Sequence, residues 1–233
     1  MISVLVPTRG RPDSMQRFCE SCLSLADDAN KVEVIFYIDD DDRASREYYD
    51  KVSSNGSIRA VIGPRIYLAE AWNVLCRAAK YDIVMQTGDD ALFRTQGWDT
   101  RVLAEFEKVP DKILFVFVRD GIQNGKMGTL NFLHKNWVKT VGYYLPPYFY
   151  SDFTDTWLTD VAKRIKRSCY LNDVFVEHLH PAAGKAELDQ THQERLKQIN
   201  QTNGRKVYNA LKFKRKEDAR RLKLFIKQYG KLA

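Results

Sequence analysis

Asp82-Ile83-Val84-Met85-Gln86-Thr87-Gly88-Asp89-Asp90 decides how the rest of the chain is read. A short β-branched and apolar run has the pattern of a buried strand, and it stops at a glycine followed by two adjacent carboxylates. In an open α/β sheet, ligands sit in the crevice at the carboxyl ends of the strands. Two neighbouring aspartates there repel each other unless a cation or a donor offsets their charge. A hard divalent ion already chelated by phosphate oxygens meets that need. Gly and Asp are also ordinary turn residues, so a plain turn is the other reading of this segment alone.

The flanking segments repeat the pattern. Ile2 to Val6 reads as a strand closed by Pro7-Thr8-Arg9-Gly10-Arg11-Pro12, and Asp13 or Ser14 can cap a helix through about Leu25. Val32 to Ile38 is a second strand, ending in Asp39-Asp40-Asp41-Asp42. Most of these four read as a solvated loop that starts a helix near Arg43, whereas Asp39, first off the strand, is a candidate site residue. Ile58 to Ile62 is a third strand, followed by Gly63-Pro64-Arg65. Tyr67 to Lys80 is helical, with Leu68, Trp72, Leu75, Cys76 and Ala79 on one stripe. Asn73 sits in mid-helix, where it either points to solvent or bonds to something specific. A helix from about Trp98 to Val109 and a strand from Ile113 to Val118 follow. Strands alternating with helices predict an α/β fold: a mainly parallel, Rossmann-like sheet flanked by helices on both faces.

After Asp120 the texture changes. Leu130 to Leu133 is a candidate strand, with a short helix from Lys135. Pro146 to Trp157 is an aromatic loop rich in hydroxyls and carboxylates, which resembles a binding wall more than a spacer, and it leads into a helix through Lys166. Ser168 to Leu171 and Val174 to His180 read as two strands; in the second, His178 and His180 share a face by period-2 alternation. Beyond Pro181 the chain is polar and helical, and its last segment carries Leu222, Phe225, Ile226 and Tyr229 at helical spacing among basic residues.

With 233 residues the chain can form one large α/β domain. The longest apolar run, Ile113 to Val118, is too short to span a bilayer, and the opening residues read as a strand rather than a signal peptide. A cytoplasmic protein is therefore expected. Four cysteines do not make a disulfide framework in a chain this long. Cys19-Glu20-Ser21-Cys22 has redox-motif spacing, but Met15, Cys19, Cys22 and Leu25 fall on one helical face, which favours core packing. The net charge of +7 is uneven: from Arg205 onward there are 11 Lys or Arg against 2 Asp or Glu, leaving a body of 26 basic and 28 acidic residues. All the excess lies in a basic helical tail.

Assembled, three strand ends carry Thr8-Arg9, Asp39 and Asp89-Asp90, joined by a later acidic aromatic segment and a histidine strand. This pattern resembles the GT-A glycosyltransferases, most closely the family 2 type, over roughly residues 1 to 181. The resemblance implies a nucleotide-sugar-binding half (1–120), an acceptor half (121–181) and a basic helical extension outside the family pattern (182–233). It also implies that Pro7, Thr8 and Arg9 form the nucleotide-binding loop and that Asp39 contacts the base or ribose. Ala71-Trp72-Asn73 is similar to the family's Ala-Arg-Asn helix, which places Asn73 among the donor-binding residues. Trp72 stands where the family often has arginine, so one diphosphate contact is missing or is supplied by Arg65. Asp89-Asp90 matches the latter part of an Asp-x-Asp metal motif whose first aspartate is replaced by Thr87, and Asp90 is expected to touch the ion with help from Asp89 and His178 or His180. Asp155-Thr156-Trp157-Leu158 is similar to the segment holding the acceptor-side base, with Asp152 as a second candidate. Asp155 is also suited to the first turn of a helix, where the dipole favours a carboxylate.

The residue types fit sugar transfer. Oxygen ligands plus an imidazole suit Mn2+ or Mg2+, which stabilises a departing diphosphate as a Lewis acid. A carboxylate across the sugar takes the acceptor proton, and direct displacement inverts the anomeric centre. The expected donor is a nucleotide sugar, a UDP-sugar first. The acceptor is open. Lys212 to Lys216 and Arg220-Arg221-Lys223 can lie along the phosphates of a nucleic acid, as for an enzyme modifying hydroxylated bases in DNA. The same helix can rest on an anionic membrane beside a lipid or saccharide acceptor, or dock its apolar stripe on the domain. Of the rival classes, a nucleotidyltransferase lacks here the expected glycine-rich loop with lysine after the first strand. A non-catalytic sugar- or nucleic-acid-binding module has no need of metal ligands together with an acceptor-side carboxylate.

Overall fold

Alternate residues of strand β1 (Ile2–Thr8) feed two separate cores, as the period of two requires. Ile2, Val4 and Val6 join one face and Leu5 the other. The computed structural model of the chain describes residues 1–201 and 203–231. Among them, β1, β2 (Val32–Asp39), β3 (Ile58–Gly63), β4 (Ile83–Gln86), β5 (Ala91–Phe93), β6 (Phe115–Arg119), β7 (Asn131–His134) and β8 (Ser168–His178) form one sheet in the order β3-β2-β1-β4-β7-β6-β8-β5. The β1–β2, β2–β3, β1–β4 and β6–β8 pairs are parallel, and β7 enters antiparallel between β4 and β6.

Helices cover both faces. Helices α1 (Pro12–Ser24), α2 (Arg43–Val52) and α4 (Trp98–Glu107) pack on the face of Val4, Phe36 and Phe132. Helices α3 (Leu68–Ala78), α5 (Lys135–Val141) and α6 (Thr154–Ile165) pack on the face of Leu5, Val84 and Phe115. Cys19 and Cys22 are buried in the first core, and burial pushes the Cys19 thiol up to about 12, which suits packing rather than redox chemistry.

The chain leaves β1, builds β2 and β3 to one side, then crosses back through α3 to place β4 on the other side. That reversal opens a crevice at the carboxyl ends of β1 and β4, the topological switch point of an α/β sheet. Three expectations change in detail. Residues 168–178 form one continuous strand instead of two, with a register shift opposite Val118/Arg119. That strand ends at His178, so His180 lies just beyond it. Strand β6 starts at Phe115: before it, the Ile113 amide donates to the Asp111 carboxylate and the Leu114 amide to Lys112 O instead of to a neighbouring strand.

Among the described residues the tail forms three helices: α7 (Gln190–Gln201), α8 (Gly204–Ala210) and α9 (Lys212–Tyr229). Helix α9 docks on α5 and α6 through Ala219 and Leu222. Asp218 accepts from Trp157 Nε1 at 3.0 Å and from the Tyr143 hydroxyl. Arg215, counted above among phosphate-facing cations, is instead buried: its Nε meets Asp160 at 2.7 Å and its guanidinium stacks 3.6 Å from the Tyr208 ring centre. Arg220 and Arg221 pair with Glu217, while the lysines of α9 are exposed. Among the described residues, no helix is long and apolar enough to cross a membrane.

Candidate active site

A cavity of 260 Å³ opens at the switch point, and strand ends supply its floor. Pro7 and Thr8 close β1, Asp39 closes β2, and Gln86 to Asp90 run off β4. Asp152 and Asp155 stand at the start of α6, His178 ends β8, and Arg65 comes from the β3–α3 loop. All of these line the same cavity, as does His180.

The loop after β1 turns at Gly10, whose φ of 66° lies in the left-handed region that a Cβ disfavours. The Gly10 amide donates to Asp42 Oδ2 at 2.6 Å, while Asp42 Oδ1 caps α2 through Ser45 N. With the turn fixed, Arg9 reaches Asp39 at 2.8 Å and Asp41 at 3.0 Å. Burial raises the Asp39 carboxyl more than Arg9 lowers it. Arg9 is therefore already neutralised by carboxylates where it meets the cavity.

Asp89 and Asp90 have different surroundings. Asp89 is buried, and both its oxygens are taken: Oδ2 by the Thr8 hydroxyl at 2.7 Å, Oδ1 by Arg11 at 2.9 Å. It acts as a strut that aims Thr8 and Arg11. The Asp90 carboxylate folds back over Gly88: a Cβ there would sit 2.6 Å from Asp90 Oδ1. Asp90 Oδ2 lies 3.3 Å from His178 Nε2 and 3.9 Å from His192 Nε2. Burial pushes the Asp90 carboxyl up, but His178 and His192, with Arg11 nearby, outweigh it and hold it well below the usual range. His178 is correspondingly raised: burial lowers it, and Asp90 more than restores it. The Asp90 backbone oxygen accepts from Leu179 N at 2.7 Å, which locks the end of β8 against the loop after β4.

Among the described residues no group of three or more His, Cys, Asp or Glu side chains stands at ion-holding geometry. The Asp90–His178 pair does fit an ion that takes its remaining ligands from elsewhere. Adjacent ligands on an octahedral ion with bonds of about 2.1 Å are about 3.0 Å apart, close to the 3.3 Å found.

Asp155 lies in the first turn of α6, but the helix is capped at Phe153, without a side-chain hydrogen bond, so Asp155 is not the capping residue. Its Oδ1 accepts from the Thr156 amide at 2.6 Å, and burial, reinforced by Asp152, pushes its carboxyl above the usual range. Phe153 holds a φ of 72°, a strained conformation for an aromatic residue, between the two aspartates.

Asn73 is not in the cavity. It is buried, and its carboxamide bonds to Ala69 O, Leu145 O and the amides of Tyr144 and Leu145, all between 3.0 and 3.1 Å. Three of these four bonds tie α3 to the segment preceding the aromatic loop, and the fourth stays within the helix. Trp72, its neighbour, does reach the floor: Nε1 donates to Thr87 O at 3.0 Å and Leu5 O at 3.2 Å, clamping the residue after β4 to the middle of β1.

Sequence reasoning missed one wall. Residues 189–195, at the start of α7, return to the cavity. Arg11 pairs with Asp189 at 2.6 Å, Arg65 with Glu194, and Arg195 with Asp152 at 2.9 Å. The Thr191 hydroxyl donates to Arg9 O at 3.0 Å, and buried His192 sits between Arg11, Asp189 and Asp90. The readable signal was Asp189 as an N-cap, confirmed by its 2.9 Å bond from His192 N. Nothing local tied that helix to a strand end near residue 10.

Residues 3–188 match the family model for glycosyl transferase family 2. The chain belongs to that family. Solved structures similar to this family 2 glycosyltransferase share its GT-A fold. S. aureus TarS 1–349 in complex with UDP-GlcNAc has a TM-score of 0.62 at 14% identity, over 76% of this chain and 58% of that one. The mannosyltransferase PcManGT from Pyrobaculum calidifontis, in complex with GDP-Man and Mn2+, has a TM-score of 0.61 at 16% identity, over 77% of this chain and 57% of that one. The chain thus spans less than two thirds of the length of these neighbours. No curated protein matches it in sequence.

Proposed function

We propose that this glycosyltransferase moves a hexosyl or pentosyl group from a nucleotide sugar to an acceptor hydroxyl, with inversion and with a divalent ion. The observation that carries the reading is the convergence, in one cavity at the switch point, of the Asp90–His178 pair and the Asp155 carboxylate. Asp39 and the Pro7–Arg9 loop face the nucleotide, a UDP-sugar first; the UDP-GlcNAc and GDP-Man held by neighbours of the same fold support a donor of this class. Mn2+ or Mg2+, held by Asp90 and His178, would supply Lewis-acid stabilisation of charge on the diphosphate. Asp155 accepts the acceptor's hydroxyl proton as that oxygen bonds to the anomeric carbon and the carbon–phosphate oxygen bond breaks, its electron pair leaving with the diphosphate. Attack from the side opposite the diphosphate inverts the centre. The raised Asp155 carboxyl makes it a stronger base than an ordinary aspartate.

The exposed lysines of α9, on a helix docked against α6, support a polyanionic acceptor such as modified DNA; lipid or saccharide acceptors at an anionic membrane are the competing outcome. Four free cysteines fit a reducing, cytoplasmic setting. Incubation with labelled UDP- and GDP-sugars and Mn2+ tests the donor reading. Release of free sugar and nucleoside diphosphate supports it; pyrophosphate release, or no turnover with any donor, contradicts it.

A further inference from the structure

Among the described residues four arginines line the cavity, and each is paired with carboxylates: Arg9 with Asp39 and Asp41, Arg11 with Asp89 and Asp189, Arg65 with Glu194, Arg195 with Asp152. A donor diphosphate needs cations beside its metal ion, and among the described residues the cavity's guanidiniums are all paired with carboxylates. The carboxylates are not equivalent. Asp39 and Asp89 are built into strand ends, with side chains 9% and 3% exposed. Asp189 and Glu194 arrive from the start of α7, and the Asp189 side chain is 42% exposed.

The Arg11–Asp189 contact is two-pronged: Nε to Oδ2 at 2.6 Å and Nη2 to Oδ1 at 2.8 Å. A guanidinium grips a phosphate with the same parallel fork. Stripping a largely covered guanidinium, 14% exposed, of a partner is costly, whereas returning a half-exposed carboxylate to water is cheap. An exchange of anions on Arg11 therefore keeps that cation paired throughout. Asp189 would also keep a role after release, because its Oδ1 caps α7 through His192 N.

Building on the donor reading above, we propose that Asp189 and Glu194 are intramolecular stand-ins for the donor's diphosphate, holding Arg11 and Arg65 until its oxygens replace them. Arg11 and Arg65 are then the diphosphate-binding cations, and the first turn of α7 must shift for the donor to seat. Apparent affinity is lowered by the fraction of molecules in which the stand-ins are engaged.

Calorimetric titration of the full chain with UDP and GDP, in Mn2+, tests this. The double variant Asp189→Asn, Glu194→Gln should bind the preferred nucleotide about tenfold tighter than the wild type. Arg11→Ala should bind it at least about tenfold weaker. A second readout needs no variant: the nucleotide should speed tryptic cleavage after Arg195 and Lys197, because the start of α7 is released. Wild-type binding that is unchanged or weakened in the double variant, or protection of those tryptic sites, overturns the inference while leaving the donor reading intact. A wild type that binds neither nucleotide overturns the donor reading and this inference with it.

Discussion

Gly88→Ala is a one-atom test of where Asp90 must stand. The new Cβ would lie 2.6 Å from Asp90 Oδ1, against 3.4 Å or more for ordinary contact, so the carboxylate must retreat by about 0.8 Å. The backbone cannot follow freely, because the Asp90 carbonyl is held by Leu179 N at 2.7 Å. The side chain therefore swings, and the 3.3 Å approach to His178 is lost. Misplacing a reacting group by about 1 Å costs about 100-fold in rate. Stability should change little: the clash is with the end of a side chain, and an over-packing cost of about 1 kcal/mol corresponds to about 2–4 °C in Tm at this size. The assay is Mn2+-dependent release of nucleoside diphosphate from the preferred nucleotide sugar, at saturating Mn2+ and across an Mn2+ titration. A well-folded Gly88→Ala variant turning over within threefold of wild type would refute the assignment of Asp90 to the reaction.

Asp155→Asn should abolish turnover by about 100- to 10,000-fold while leaving nucleoside diphosphate affinity unchanged, as calorimetry can check. Because burial raises the Asp155 carboxyl, its ionised form opposes folding at neutral pH, and the opposition fades as pH falls through the raised value. Removing the charge should therefore raise Tm, read by calorimetric scanning. In the wild type, turnover should fall as pH drops through that value, so the acid limb of kcat/KM should lie above 3.8; a limb at or below it contradicts Asp155 as the base. Trp72→Phe leaves the buried Leu5 and Thr87 carbonyls without their indole donor, at a cost of about 2 kcal/mol and about 4–8 °C in Tm. Arg215→Ala should cost about 2–3 kcal/mol by urea denaturation, and a double-mutant cycle with Asp160→Ala should show coupling between them.

Strand ends were the legible part of this chain. A buried parallel strand is a near-continuous apolar run, and a carboxylate placed directly after one marks the crevice from the order of residues alone. That is why Asp39, Asp89 and Asp90 could be gathered from positions fifty residues apart. The bonds of Asn73 outside its own helix were unreadable because its partners, the amides of Tyr144 and Leu145 and the Leu145 carbonyl, lie about seventy residues downstream in a segment with no regular pattern. The difference between Asp89 and Asp90 was unreadable for a related reason: it depends on Thr8 and Arg11 reaching one of them from the other side of the crevice. Strand β5 spans only Ala91 to Phe93, too short for alternation to register. The start of α7 carried the largest omission. Its charges match arginines 178 residues away for Arg11 and 129 residues away for Arg65, and its own periodicity is that of a solvated helix.

Thermal shift of the wild type and of Asp90→Asn with UDP and GDP, each in Mn2+ and in EDTA, addresses the claim that the Asp90–His178 pair holds an ion beneath the donor diphosphate. A nucleotide at about 100 times its Kd stabilises the native state by about 2.7 kcal/mol, which is readily seen. The wild type should gain this stabilisation in Mn2+ and lose most of it in EDTA, and Asp90→Asn should show little in either. Equal nucleotide stabilisation with and without Mn2+, or a Mn2+-dependent shift that survives in Asp90→Asn, would contradict the claim.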